Sequence, residues 1–234
     1  MAGAMAVMIR NVRVFDGEAL LDGAKSVLVR DGRIAAVMAA GEETPLDEPT
    51  TVIDGAGGVL MPGLVEAHAH LTWGSSVEKI YHQFILPEDE LKVAAWRNAR
   101  VLLDHGFTSA YSAGALGDGI EVALARAIDA GETPGPRLVP STLERSPEGA
   151  EGVDTGDVFN GRGAEAIRKF VAYCKEQGIG SLKLVVSGED ALKPGSAGDV
   201  LYTDEEMEAA GEAAREAGLW IATHAYYPRR SSWR

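Results

Sequence analysis

The stretch Leu60-Met61-Pro62-Gly63-Leu64-Val65-Glu66-Ala67-His68-Ala69-His70-Leu71 divides the chain into two patterns. Leu64, Val65 and Ala67 lead into His68 and His70. As a strand, the segment turns alternate side chains to opposite faces, so the two histidines point the same way. Two imidazoles so placed can hold one metal ion. The same pattern also suits an ordinary strand end with two solvated histidines, and this stretch alone leaves both readings open.

On the N-terminal side, residues 6–60 read as a small β unit. Val7-Met8-Ile9 and Val12-Arg13-Val14-Phe15 are β-prone runs broken by Arg10-Asn11. Ser26 to Arg30 and Arg33 to Val37 flank Asp31-Gly32, a hairpin signal. A polar loop over residues 41–50 precedes a strand at Thr51-Val52-Ile53-Asp54. No helical periodicity appears, and a β-sandwich or half-sandwich is expected over residues 1–61.

Beyond Pro62 the pattern becomes strand, loop, helix, repeated over residues 62–228. Strands are expected at 63–70, 107–112, 137–141, 181–186 and 219–224. Helices are expected at 87–105, 118–130, 163–177 and 203–217. Glu88, Asp89 and Glu90 favour a helix start, and Gly106, Gly131, Gly178 and Gly218 follow the helix ends. Thr203 to Glu206 has the capping-box pattern. Ile167, Phe170, Val171 and Cys174 share one helix face, which makes Cys174 a core residue rather than a nucleophile. Five such repeats predict an α/β fold with a parallel sheet, best matched by an incomplete TIM-like (β/α) barrel whose site lies at the C-terminal strand ends.

Bulk composition narrows the function. The chain has 234 residues, 46% hydrophobic and 24% charged, enough for a substantial core. A net charge of −13 argues against nucleic acid or anionic membrane as partners. The single Cys174 excludes an internal disulfide and suits a reducing compartment. The start, Met1 to Ile9, lacks a basic leader and no apolar run reaches a membrane span, so a cytoplasmic location is expected.

Two further strand positions carry chemistry. Lys183 lies within Leu182-Lys183-Leu184-Val185-Val186-Ser187-Gly188. Burial there disfavours the ammonium and makes the amine nucleophilic, able to add carbon dioxide as a carbamate. The lysine can equally point outward or pair with a buried acid. His224 ends the fifth strand in Ala222-Thr223-His224-Ala225 and can equally be a satisfied strand-end histidine.

The ordered set of the His68/His70 motif, Lys183 and His224 resembles the amidohydrolase superfamily, in its imidazolonepropionase-like and prolidase-like branch. That resemblance implies two divalent metals, most often zinc. His68 and His70 would bind the first, a carbamate on Lys183 would bridge both, and His224 would bind the second. It implies hydrolysis of a C–N bond in a small amide, dipeptide-like or cyclic-amide substrate by a metal-bound hydroxide. A mononuclear deaminase fits less well, because a lone metal needs no bridge.

The family pattern continues with a histidine on a sixth strand and an aspartate on an eighth, and neither is in this sequence. The basic tail Arg229-Arg230-Ser231-Ser232-Trp233-Arg234 departs from the pattern too, and a chain shortened after strand five, from a frameshift near Pro228, is the expectation. With it come two alternatives: an inactive remnant, or an assembly partner, including a homo-oligomer, whose open sheet another chain completes. For substrate contact, Arg145 and Lys193 are candidate carboxylate holders in the loops 142–149 and 189–198, and Tyr226 lies beside His224. Glu66 is read as a structural acid, and His82 and His105 as surface residues.

Overall fold

The computed structural model describes residues 6–42, 49–74, 86–147, 158–190 and 193–226. The chain forms two compact units, Met1–Gly63 and Leu64–Arg234. The polar loop at 43–48, His82, most of the 148–157 segment and the basic tail lie outside the described residues.

In the first unit β1 (Ala6–Val14) pairs antiparallel with β2 (Lys25–Arg30), which pairs antiparallel with β3 (Arg33–Ala39). β4 (Thr50–Asp54) runs parallel to the first half of β1, and β5 (Val59–Leu60) parallel to its last residues. Four strands thus pair in the order β3-β2-β1-β4, and β5 pairs with β1 off that path. The β2–β3 hairpin turns at Asp31 and Gly32 with φ of 51° and 71°, the pair of positive values that a type I′ turn requires.

The break expected at Arg10-Asn11 is a bulge inside one continuous strand. The β1–β2 register shifts between Ile9 and Val12, and Asn11 has φ of 54°. One extra residue reverses the facing of everything after it. Ala6 and Met8 pack with Leu28 on one face, whereas Val12 and Val14 join Val27 on the other. The bulge is clamped by Gly55, whose N–H donates to Arg10 O; a Cβ there would lie 2.1 Å from Val12 Cγ1.

The second unit alternates parallel strands and helices. In chain order they are β6 (Leu64–Ala69), α1 (Glu88–Asp104), β7 (Phe107–Ser112), α2 (Ile120–Asp129), β8 (Arg137–Val139), α3 (Ala164–Gln177), β9 (Ser181–Val185), α4 (Asp204–Ala217) and β10 (Trp220–His224). The strands pair in parallel as β6-β7-β8 and as β9-β10. The two groups meet where the chain leaving β8 runs beside β9. Arg145 N–H donates to Lys183 O and Val185 N–H to Arg145 O, both at 2.9 Å, and Gly180 N–H donates to Pro140 O.

Period-two alternation then sorts the side chains. Ala69, Ala110 and Leu138 pack against Leu91, Ala95 and Ala99 of α1 and Ile120 and Leu124 of α2. Leu182 and Leu184 pack against Ile167, Phe170, Val171 and Cys174 of α3 and Met207, Ala210 and Ala214 of α4. The α3 face is therefore the one its spacing implies. Burial pushes the Cys174 thiol up to about 12, so it is a packed apolar group. The Thr203 and Glu206 capping box forms in full, and Glu206 Oε1 also accepts from Gly163 N–H at 2.6 Å.

The opposite sheet face is concave. The Tyr111 ring of β7 meets that of Trp220 of β10 edge-on at 6.0 Å, across the intervening β8 and β9. Among the described residues β6 pairs only with β7 and β10 only with β9, so these two strands bound the sheet. Both carry exposed apolar side chains: Val65 is 56% and Trp220 64% accessible. Strand edges with apolar neighbours template association. The 234-residue chain is expected to self-associate with rising concentration in sedimentation velocity, and Val65→Lys with Trp220→Lys to suppress it. A monodisperse wild-type monomer at high concentration would contradict this.

Candidate metal centre

His68 and His70 occupy alternate positions at the end of β6 and its exit, opposite the helix-facing Ala69 and Leu71; Glu66 lies across a register shift from them. Lys183 stands between the helix-facing Leu182 and Leu184, and so emerges on the same concave face. In the β9–β10 register Ala222 lies opposite Lys183 and His224 opposite Val185, which puts His224 on that face one step further along. The parallel strands thus deliver His68, His70, Lys183 and His224 to one end of one surface.

The four side chains are close enough to sense one another. The His68 and His70 rings are 5.3 Å apart. Burial lowers the pKa of all three histidines, and the Lys183 charge lowers each further; His70, the deepest, falls to about 4. His70 and His224 also repel each other's charge, as do His68 and His224. At neutral pH the imidazoles are therefore uncharged, with lone pairs available.

His70 is held in one tautomer. Its Nδ1 lies 3.0 Å from Gly114 O, and a carbonyl only accepts, so Nδ1 carries the proton and Nε2 is left bare. Trp73 stacks 4.7 Å from the same ring. Asn98 of α1 ties down the loop behind it by donating to Leu71 O and Trp73 O. His224 Nε2 is buried and stands 3.3 Å from Glu189 Oε2 without hydrogen-bond geometry. Because His224 is neutral, that contact is not an ion pair.

Lys183 is 2% exposed. Its Nζ donates to Ala113 O at 2.7 Å and lies 3.8 Å from Glu144 Oε1. Burial lowers its pKa and the Glu144 charge only partly restores it. Burial in turn raises Glu144, with Glu189 adding to the effect and Lys183 opposing it. Glu144 and Glu189, which come from the loops after β8 and β9, were not singled out by sequence; two acids in polar loops carry no local signal. Gly114 makes room for the pair, since a Cβ there would meet Glu144 Oε1 at 2.8 Å and Lys183 Cγ at 3.0 Å.

The donor chemistry suits a divalent ion: neutral imidazoles, one with its tautomer preset and one with a buried nitrogen that has no hydrogen bond, around an amine whose charged form burial disfavours. Among the described residues no three His, Cys, Asp or Glu side chains stand together as a ligand set for one ion. The nitrogen donors fit the group, and a closed shell needs more donors than these.

Arg145 is a correction. It was expected to hold a substrate carboxylate from an open loop, but it is 0% exposed. Nη1 donates to Tyr202 Oη at 3.0 Å, and Nη2 to Gly161 O at 2.7 Å and Asn160 O at 3.2 Å. The guanidinium also lies over the Phe170 and Tyr202 rings. Its charge is spent inside the protein, where it clamps the β8 exit to α3 and the approach to α4. Lys193 is exposed. Tyr226 remains at the site: its ring is 4.8 Å from that of His224 and its hydroxyl donates to Glu189 Oε2 at 2.8 Å. Glu66 accepts from His68 N–H at 3.0 Å, and His105 caps α1 on the surface.

The family model of the amidohydrolase family matches residues 59–231. The chain belongs to the amidohydrolase family. Among curated proteins it is 45% identical over 67 residues to an imidazolonepropionase of Ectopseudomonas mendocina, an alignment spanning 29% of this chain and 16% of that one. A dihydroorotase of Syntrophus aciditrophicus is 39% identical over 67 residues, covering 29% and 15%. Solved structures match over far more of the chain. A Xaa-Pro dipeptidase with bound methionine superposes with a TM-score of 0.77 at 20% identity, covering 94% of this chain and 56% of that one. An amidohydrolase superposes with a TM-score of 0.77 at 26% identity, with the same coverage. The chain spans about half the length of these solved relatives.

Two outcomes are expected. Arg145→Lys removes the planar fork that serves three oxygens at once and should cost on the order of 3 kcal/mol in urea unfolding; an unchanged midpoint would return Arg145 to the surface. For Lys183, the unfolded chain holds a proton between the lowered folded value and the ordinary 10.5, and the folded chain does not. Stability should therefore rise with pH across that window. With chelator present, Lys183→Met should flatten that rise.

Proposed function

We propose that this chain carries the first half of the metal centre of an amidohydrolase that cleaves a C–N bond in a small amide, dipeptide-like or cyclic-amide substrate. The observation that carries the reading is the convergence of His68, His70, Lys183 and His224 on one concave face. In this reading the five parallel strands are the opening repeats of a (β/α) barrel, and a complete shell needs donors besides these four.

His68 and His70 would hold one divalent ion, zinc by donor preference, and His224 would hold a second, and Lys183, once converted by carbon dioxide to a carbamate, would add oxygen donors. Such ions supply a water of lowered pKa and polarise the scissile carbonyl. The chain's own residues do the rest. The Gly114 carbonyl orients His70, and Ala113 O holds the Lys183 amine. Glu144 stands at the atom where the amine releases its proton on carbamate formation. Tyr226 and Glu189 flank His224 where a substrate enters. The names of the curated relatives, imidazolonepropionase and dihydroorotase, and of the solved Xaa-Pro dipeptidase support the C–N bond class.

A second reading keeps the lineage without turnover, as a remnant or an assembly partner that needs another chain. It is favoured by the absence of a closed ligand set among the described residues.

Metal analysis separates the two. Zinc-loaded, dialysed protein should retain about two equivalents per chain, and Lys183→Ala and His70→Asn should each reduce the content. Retention with hydrolysis of a panel of Xaa-Pro dipeptides, N-acyl amino acids and cyclic amides supports the enzyme. Retention without turnover supports the remnant. No retention removes the metal reading for this chain.

A further inference from the structure

Glu121 projects from α2 and is completely buried. Ionisable side chains are almost never buried to that degree without a partner of opposite charge. None of its contacts is a cation. Ser141 N–H donates to Oε2 at 3.0 Å. Leu71 N–H and the Ser112 hydroxyl also act on the carboxyl, without full hydrogen-bond geometry. Oε1 has no hydrogen-bond partner among the described residues. Burial raises the pKa to about 7, which favours a neutral carboxylic acid whose hydroxyl can turn toward Ser112.

The three positions it touches are not arbitrary. Leu71 directly follows His70. Ser112 directly precedes Ala113, whose carbonyl accepts from Lys183 Nζ, and lies two residues before Gly114, whose carbonyl accepts from His70 Nδ1. Ser141 passes the connection on: its hydroxyl donates to Ser181 O at 2.7 Å, two residues before Lys183. The same segments are laced to each other by Ala113 N–H to Ala69 O, Ala115 N–H to Thr142 O and Leu116 N–H to Thr72 Oγ1. One carboxyl on one helix thus sits where the exits of β6, β7 and β8 come together, one or two residues away from the groups that hold His70 and Lys183.

We propose that Glu121 is a positioning residue for the metal centre, its buried carboxyl setting the His70 ring and the Lys183 amine by tying the exits of β6, β7 and β8 to α2. It rests on the metal reading only for what the positioned groups then bind; the positioning itself belongs to the metal-free chain.

The test compares the full chain with Glu121→Leu, Glu121→Gln and Leu124→Ala, the last a fully buried α2 residue of the same apolar cluster whose side chain can make no hydrogen bond to these exits. Ring nitrogen shifts of ¹⁵N-histidine-labelled, metal-free protein report the His70 tautomer. Cobalt(II) titration with its visible absorption reports the centre. Wild type should show the Nδ1–H tautomer. Glu121→Leu should mix the tautomers and weaken cobalt binding by at least about tenfold. Glu121→Gln, a neutral isostere, should restore both, and Leu124→Ala should leave both intact although it lowers stability. If Glu121→Leu does not fold, Glu121→Asp, which retracts the carboxyl by one methylene, carries the same expectation. The proposal is overturned if the wild-type ring is not Nδ1–H, if Glu121→Leu keeps the tautomer, or if Leu124→Ala disturbs it equally. A wild-type chain that takes no cobalt would remove the metal reading, and the tautomer comparison would still judge Glu121.

Discussion

An amine with almost no access to water is the constraint on which the second unit depends. Lys183 sits in mid-strand between two leucines that face the helices, so period-two geometry leaves it only the concave face. There it needs an acceptor, and Ala113 O provides one from two strands away. That bond requires β7 to end where it does, Gly114 to lack a side chain, and the β8 exit to bring Glu144 alongside. A charged, unpaired lysine here would cost several kcal/mol. The surrounding fold lowers its pKa instead, which is the property that makes the amine chemically useful.

The same economy organises the other buried polar groups. From the β8 exit Arg145 donates to three oxygens ahead of α3 and α4, Glu206 joins the starts of α3 and α4, and Glu121 accepts from the Ser141 N–H at the β8 exit. Each lies behind or beside the concave face, and each fixes loops that bear the site. The apolar clusters of the helix layer supply bulk stabilisation, while these polar anchors decide where strand ends stop. A parallel sheet brings its chemistry to the C-terminal strand ends, so such anchors are what turn a generic α/β layer into a defined site.

Much of the fold was legible because its signals are local. Strand, helix and cap residues lie within one or two positions of expectation, since Gly at helix ends, the Thr203 capping box and the Asp31-Gly32 turn act over a few residues. The first unit was less legible. Its two expected strands are one strand with a bulge, and that strand takes β4 and β5 as parallel partners through pairings about 45 residues distant. The site shows the same division. His68, His70, Lys183 and His224, which the structure brings to one face, stand out in the sequence because their chemistry sits inside recognisable strand patterns. Glu121, Glu144 and Glu189 escaped because an acid on a helix or in a polar loop looks solvated until the fold buries it, and Arg145 was misplaced for the same reason.

What the sequence by itself determined was therefore the order of elements, their faces and the four nitrogen donors, all consequences of period-two and helical spacing and of side-chain type. Only the tertiary structure decided which carbonyl holds His70 and Lys183, which acids stand beside them, and that Arg145 is an internal clamp. Those are contacts between residues 15 to 70 positions apart, and a linear pattern does not encode burial or distance across strands.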